Sequence, residues 1–336
     1  MDVLSNESFS NASNISMGGQ MSTFNLYIWP LGIILVSGGL AAIFGNLMIL
    51  VALSKSPELK RNRCNILVAN LSFADLIHSF SFICCGVQSL WALVYGLESM
   101  SMTNETCFYL FAPVVVCMDG AAFTILAIGI DRVVSLMKPI FYKNLSSKYT
   151  FVVICASWLF GVINIIVAWP SKDPNEIVPT CAPPTALRNA GLLFWTNSNV
   201  DINVLVVVSD AVAYAKAKRM AKFRTNANDQ ALRNNKMLTS LVIFAGVYIS
   251  SALIGNLIIA LTSQFATSPS LIFHLSIYQG ILVLVSTGCN FFIYYARSGE
   301  YRKVFRKILR LKQTNNQPYE GSQSQQNRLF VVKSNG

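Results

Sequence analysis

Seven long apolar runs, parted by short polar stretches, leave this chain one solvent for most of its length, which is lipid. They fall at roughly 28–53, 65–92, 107–136, 150–169, 191–215, 238–262 and 271–296. About 20 apolar residues cross the hydrocarbon core as a helix. In lipid only helices and closed barrels satisfy their own backbone. The expected fold is therefore an all-α membrane protein, a seven-transmembrane helix bundle followed by a short amphipathic C-terminal helix. Of the 336 residues only 12% are charged, against about 25% in soluble domains, which argues against a soluble enzyme. A net charge of +11 could suggest nucleic acid, but the placement of the bases excludes that partner. Of the 26 lysines and arginines, all but Lys172 and Arg188 follow the first, third, fifth and seventh runs. Bases gather on the cytoplasmic side of a bilayer. The expectation is a multi-pass plasma-membrane protein, N-terminus outside and C-terminus inside, which an odd number of spans satisfies.

This orientation assigns the remaining segments. Residues 1–27 are read as an extracellular tail, 28–296 as the bundle, 297–312 as an amphipathic helix and 313–336 as a disordered cytoplasmic tail rich in Gln, Asn and Ser. Asn6, Asn11, Asn14 and Asn104 each open an Asn-x-Ser/Thr triplet on the outer side, so they are candidate glycosylation sites. Of eight cysteines, only Cys107 and Cys181 lie outside the lipid on the oxidising face, and they are expected to be bridged. In the stretch 298–312, Tyr301, Val304, Phe305, Ile308 and Leu309 recur on one helical face among bases, the pattern of a helix lying on an inner leaflet.

Polar residues inside the runs carry the functional reading, because they are expensive in hydrocarbon and should face the bundle. Asn46, Asp75, Asp119, Asp201 and Asp210 interrupt the runs. His78 follows Asp75 by one turn and reads as a satisfied interior residue. Asp131 and Arg132 end the third run side by side, where the carboxylate can hold the permanent guanidinium cation.

Taken in order, these residues resemble a rhodopsin-like (class A) G-protein-coupled receptor. Gly45-Asn46 is similar to that family's first-helix signature, and Leu71-Ser-Phe-Ala-Asp75 to its second. Cys107 precedes Arg132 by 25 residues, the family's usual gap between disulfide cysteine and arginine. Asp131-Arg132-Val133 stands for the acid-Arg-Tyr motif, Trp158 for the fourth-helix tryptophan and Tyr214 for the fifth-helix tyrosine. Asn290-Phe-Phe-Ile-Tyr294 stands for the seventh-helix motif. Within that class the stretch after Tyr294 looks most like the nematode serpentine chemoreceptors of the Srsx class. Departures are equally specific. Span five lacks proline. Tyr248 and Ser250 replace the sixth-helix tryptophan and proline, and Phe291 and Val133 replace the proline and tyrosine of the two motifs. Without those prolines the helices should run straighter or pivot at Gly246 and Gly288.

The resemblance implies a receptor that binds an extracellular small molecule and activates a heterotrimeric G protein, with no bond-breaking chemistry of its own. A neuropeptide-type receptor is the alternative reading. Asp131, Arg132, Tyr214, Asn290 and Tyr294 would serve coupling, and Asn46, Asp75 and Ser286 a polar network. No cofactor is expected; Ala121 stands where a sodium-site hydroxyl is common, which argues against sodium at Asp75. The usual inactive-state acid falls near Gln230, beside Asp229. A ligand would sit between the outer halves of spans three, five, six and seven. Its candidate contacts are Asp119, Asp201, Tyr248, His274, Tyr278 and Gln279, a bond across to span five being the other reading of Asp119. Val114 occupies the position of the amine receptors' aspartate, so a monoamine ligand is not expected. A secondary transporter would show internal repeats and paired broken helices, and none is seen.

Overall fold

The computed structural model describes residues 4–96, 99, 101–178, 180–223, 246–247, 249–265 and 269–311. Its long helices are α1 (Leu4–Lys55), α3 (Arg63–Tyr95), α4 (Asn104–Met137), α6 (Ser147–Ala168), α8 (Asn189–Phe223), α9 (Ile254–Phe265) and α10 (Pro269–Arg297). Short helices α2 (Pro57–Arg61), α5 (Pro139–Asn144) and α7 (Pro183–Ala186) turn the chain between them, and α11 (Gly299–Ile308) follows the bundle. Four of these starts carry a local cause. The side chains of Ser56, Asn62, Thr103 and Ser146 accept from the first-turn amides of α2, α3, α4 and α6, satisfying donors that the helix itself leaves open.

Among the described residues five helices are long and apolar enough to cross a membrane: Trp29–Lys55 within α1, Arg63–Tyr95, Asn104–Met137, Lys148–Ser171 and Tyr278–Ala296. The fifth span, α8, joins the bundle by packing despite a polar content, and the described part of the sixth includes the apolar helix Ser250–Thr262. α8 is 35 residues long but carries Asn197, Asn199, Asp201, Asn203 and Asp210. Before α9 the chain makes a π-helical turn, Ile249–Leu253. The turn contains Ser250, where the family resemblance set a missing proline, so a widened turn takes the place of the expected straight helix or glycine pivot. α1 still contains Pro30 and α4 Pro113.

The helices close a ring, α1 on α3 and α10, α9 on α10 and α8, α6 on α8 and α4, and α4 runs through the middle against α3, α6 and α8. Gly161 lets α6 lie on α4, since a Cβ there would stand 2.6 Å from the Val116 carbonyl oxygen. Close small-residue contacts of this kind drive helix association in lipid. The outward surface is apolar, with Ile33, Leu40, Phe80, Val94, Phe151 and Ile166 all exposed. The largest core cluster gathers Ile49, Leu71, Ile128, Phe291, Tyr301 and Phe305.

Two elements depart from expectation. Tyr301 and Phe305 of α11 are 2% and 0% exposed and join that core, so the helix is inserted under the bundle as well as amphipathic. Arg302 anchors it by donating from Nε to the Tyr295 carbonyl at 2.8 Å. Asn6, Asn11 and Asn14 lie within the extended first helix. The 313–336 stretch lies outside the described residues.

Candidate functional site

Three polar assemblies run along α4 from one end of the bundle to the other. At the Arg132 end, Gly129 brings α4 against Ser209 of α8, a contact that any Cβ would obstruct. Arg132 then stands 3.9 Å from Asp210 of α8. Its sequence neighbour Asp131 is engaged elsewhere, accepting a hydrogen bond from the Tyr142 hydroxyl of α5 at 2.9 Å. Burial and the adjacent carboxylate push the Tyr142 phenol above its ordinary range, so it remains a donor. Arg63 covers the Tyr142 ring at 5.5 Å and donates to its carbonyl at 3.1 Å. The two neighbours thus also tie α4 to α5 and α8. Tyr294 stacks at 4.9 Å on Tyr301, whose hydroxyl donates to Asn65 at 3.2 Å. Tyr214 is turned outward on α8. Asp229 and Gln230 lie outside the described residues.

Midway, Asn290 Nδ2 donates to Asp75 at 2.8 Å, joining α10 to α3. Asn46 Nδ2 donates to Ala42 within α1 and to the Thr287 carbonyl of α10 at 3.3 Å. Asp75, Ser286, Thr287 and Asn290 line a cavity of about 20 Å³, room for roughly one water. The polar network expected of Asn46, Asp75 and Ser286 is therefore assembled in one place. Trp158, which in the sequence reads as ordinary packing, donates to Asn70 at 2.9 Å, and Asn70 donates to Thr124 at 2.8 Å, tying α6, α3 and α4. A tryptophan N–H in lipid needs such a partner, and an asparagine on the facing helix is the signal that names it.

Asp119 is 0% exposed and accepts from Trp195 Nε1 at 2.9 Å and Asn199 Nδ2 at 2.8 Å, both on α8. It is the bond across to span five that was its alternative reading. Asp201 is exposed on the outer face of α8 beside Val204, Leu205 and Val208, away from the bundle interior. Tyr278 is 60% exposed. Neither therefore lines an interior pocket, which corrects the expectation for both. Tyr248 and the His274 side chain lie outside the described residues.

At the other end Cys107 and Cys181 are bridged, with Cα atoms 5.5 Å apart, as expected. Strands β1 (Met102–Thr103) and β2 (Ile177–Val178) pair antiparallel beside the bridge, Met102 opposite Val178. Lys172 pairs with Glu105 and Arg188 with Glu176. Asn104 overturns its reading as a glycosylation site. It is 0% exposed, its Nδ2 donates to the Thr185 and Ala186 carbonyls at 3.1 and 3.2 Å, and its Oδ1 accepts from the Asp173 amide at 2.9 Å. A nitrogen committed to two buried carbonyls has no room for a sugar. The triplet is a local pattern, whereas this burial comes from a loop some 80 residues away.

Beneath that loop lies a cavity of about 130 Å³. Its walls come from α1, α3, α4 and α10, and its roof from the segment Thr180 to Thr185. The pocket expected between spans three, five, six and seven shares α4 and α10 with this cavity, whose other walls are α1 and α3. Among the described residues Gln279 is the one proposed ligand contact that lines it, and His78, Gln88 and Ser81 are polar members that the proposal missed. A signal for them existed: His78, Ser81, Cys85 and Gln88 recur at helical spacing along one face of α3.

A ring of seven helices, an Asp-Arg pair at one end and a disulfide-roofed cavity at the other define a rhodopsin-like G-protein-coupled receptor. A family profile described as "Serpentine type 7TM GPCR chemoreceptor Srsx" matches residues 40–309, and the chain belongs to that family. Among curated relatives, the 5-hydroxytryptamine receptor 1 of Aplysia californica is 24% identical over 142 residues, 40% of this chain and 30% of that protein. A Dopamine D2-like receptor of Drosophila melanogaster is 25% identical over 167 residues, 49% of this chain and 18% of its own length. The galanin receptor type 1 of Rattus norvegicus is 22% identical over 304 residues, 87% of this chain and 85% of that protein. The match thus spans well under two thirds of the first two relatives and most of the third.

Proposed function

We propose that the protein is a plasma-membrane chemoreceptor, its N-terminus and disulfide outside and its C-terminus in the cytosol, that binds an extracellular small molecule and activates a heterotrimeric G protein. The observation that carries this reading is the Arg132 end. A permanent cation at the inner mouth is paired with Asp210 of α8 at 3.9 Å, while Asp131 is occupied by Tyr142. A ligand that binds one packing of the helices more tightly than another shifts the population toward it. Parting α8 from α4 would release Arg132 toward a G-protein segment, with Tyr294 and Asn290 repacking around it. Tyr214, facing outward here, would take part only after α8 turns. The basic stretch Lys216–Lys236 borders the same mouth in sequence and suits an acidic partner or anionic lipid.

The test is nucleotide exchange on a purified heterotrimeric G protein with full-length receptor in nanodiscs. Arg132→Ala is expected to lower receptor-driven exchange at least tenfold at matched receptor amount, about 1.4 kcal/mol for one lost contact at the interface. Exchange equal to that of the wild-type receptor would refute the role of Arg132. A neuropeptide ligand is the second reading, favoured by the length of the galanin-receptor match. The size of the cavity, about 130 Å³, favours a small molecule. Relatives named for amines offer little guidance to the ligand, since no carboxylate among the described residues lines that cavity and Val114 stands where an amine receptor has its aspartate.

A further inference from the structure

In the disulfide-end cavity one buried amide nitrogen is left without a partner among the described residues. Gln279 on α10 is 4% exposed, and its Nε2 is buried with no hydrogen-bond partner among the described residues. Leaving a buried amide donor unmade costs about 1–3 kcal/mol, and a group in that state beside a cavity is a place for an acceptor from outside the chain. The rest of the lining sets what that acceptor belongs to. Leu31, Leu35, Phe82, Phe111, Met118 and Val283 supply apolar walls. Among the described residues no Asp, Glu, Lys or Arg lines the space, so a charged ligand would lose its hydration and gain no counter-charge from them, a cost of several kcal/mol. The volume of about 130 Å³ is close to that of an engineered apolar cavity of roughly 150 Å³ that holds benzene. The roof contains Cys181, which the bridge to Cys107 fixes over α4, so the space exists before anything enters it and little ordering is needed on binding.

We propose that this cavity, walled by α1, α3, α4 and α10, binds a small, uncharged, mainly apolar molecule bearing one carbonyl or ether oxygen, which accepts from Gln279 Nε2. His78, its ring 4.6 Å from Phe82, forms the polar floor on the α3 side. The proposal rests on the receptor reading for its biological meaning but not for its measurement, because binding is read here without a G protein.

Full-length receptor in nanodiscs is melted with a series of 2-alkanones from 2-pentanone to 2-nonanone. n-Alkanes, alkylammonium ions and alkanoates of matching length serve as comparisons. The ketones are expected to raise the melting temperature in a saturable way with an optimum chain length, the alkanes less, and the two charged series not at all. Gln279→Leu should weaken the ketones about tenfold, down to the level of the alkanes. Cys85→Phe, which fills the cavity from the α3 wall, should abolish both effects, and it keeps the test meaningful if Gln279→Leu folds poorly. Charged homologues that stabilise equally, ketones indifferent to both variants, or a series with no saturable member (the result if water alone satisfies Gln279) would each overturn the site. A receptor that binds ketones yet drives no nucleotide exchange would leave the site standing and sink the receptor reading; exchange without ketone binding would do the reverse.

Discussion

The two ends of the bundle are held by different means. At the disulfide end a covalent bridge, a strand pair, two ion pairs and the three bonds of Asn104 bind the loop over the helices. At the Arg132 end the contacts are non-covalent, among them an ion pair of 3.9 Å from α4 to α8 and a phenol on a carboxylate between α5 and α4. Between them α9 starts from a π-helical turn, a local break in the regular ladder. A preformed cavity needs the first kind of construction. A contact that must part on activation needs the second, since a tie worth many kcal/mol could not be undone by the differential affinity of a small ligand.

That contrast can be broken in three places. The largest effect is expected from Cys181→Ser, which opens a link closing 74 residues. Loop entropy puts the loss of stability at about 4 kcal/mol, read as a lower melting temperature in nanodiscs. A variant that melts like wild type would mean that the loop is held by its polar bonds alone. Next comes Tyr142→Phe. Hydrogen bonds to charged groups contribute about 1.5–3 kcal/mol, so ligand-free nucleotide exchange should rise roughly tenfold while the disulfide-end cavity keeps its ketone response. A fall in melting temperature as large as that of Cys181→Ser would erase the distinction between the ends. The smallest change is expected from Asp210→Asn. A long, partly exposed ion pair is worth about 0.5–1 kcal/mol, so ligand-free exchange should rise about two- to fivefold. Unaltered basal exchange would show that the pair does not restrain the mouth.

Much of this architecture was legible because lipid imposes simple rules. The second, third, fourth and seventh apolar runs gave their helices within a few residues, whereas α1 begins well before its run and α8 continues past its own; the side of the membrane on which each cysteine fell gave the bridge. Asp75 and Asn290 were legible as polar residues too costly to face hydrocarbon. What the runs could not give was orientation about the helix axis where polar residues crowd. In α8 the pair Asn199 and Asn203 and the pair Asn197 and Asp201 lie four residues apart on different faces, and only the first pair is buried. Periodicity makes the two pairs equivalent, and the choice is settled by Asp119 on α4, which needs Asn199. Asp201 was misplaced for that reason. The cavity was placed only in part for another: its roof and its α1 wall come from parts of the chain that no single motif joins. Asn104 shows the same limit from the surface side, since its triplet says nothing of the carbonyls that a distant loop brings to it.

The five-residue turn at Ile249–Leu253 has a consequence for anyone carrying positions over from related receptors. An i→i+5 closure takes in one residue more than the α-helical i→i+4, and one residue is about 100° of azimuth. Counting along the sixth span is therefore trustworthy on either side of Ile249–Leu253 but not across it. A residue aligned correctly by letter can sit on the neighbouring face, so mutagenesis there should scan three consecutive positions rather than the one an alignment nominates.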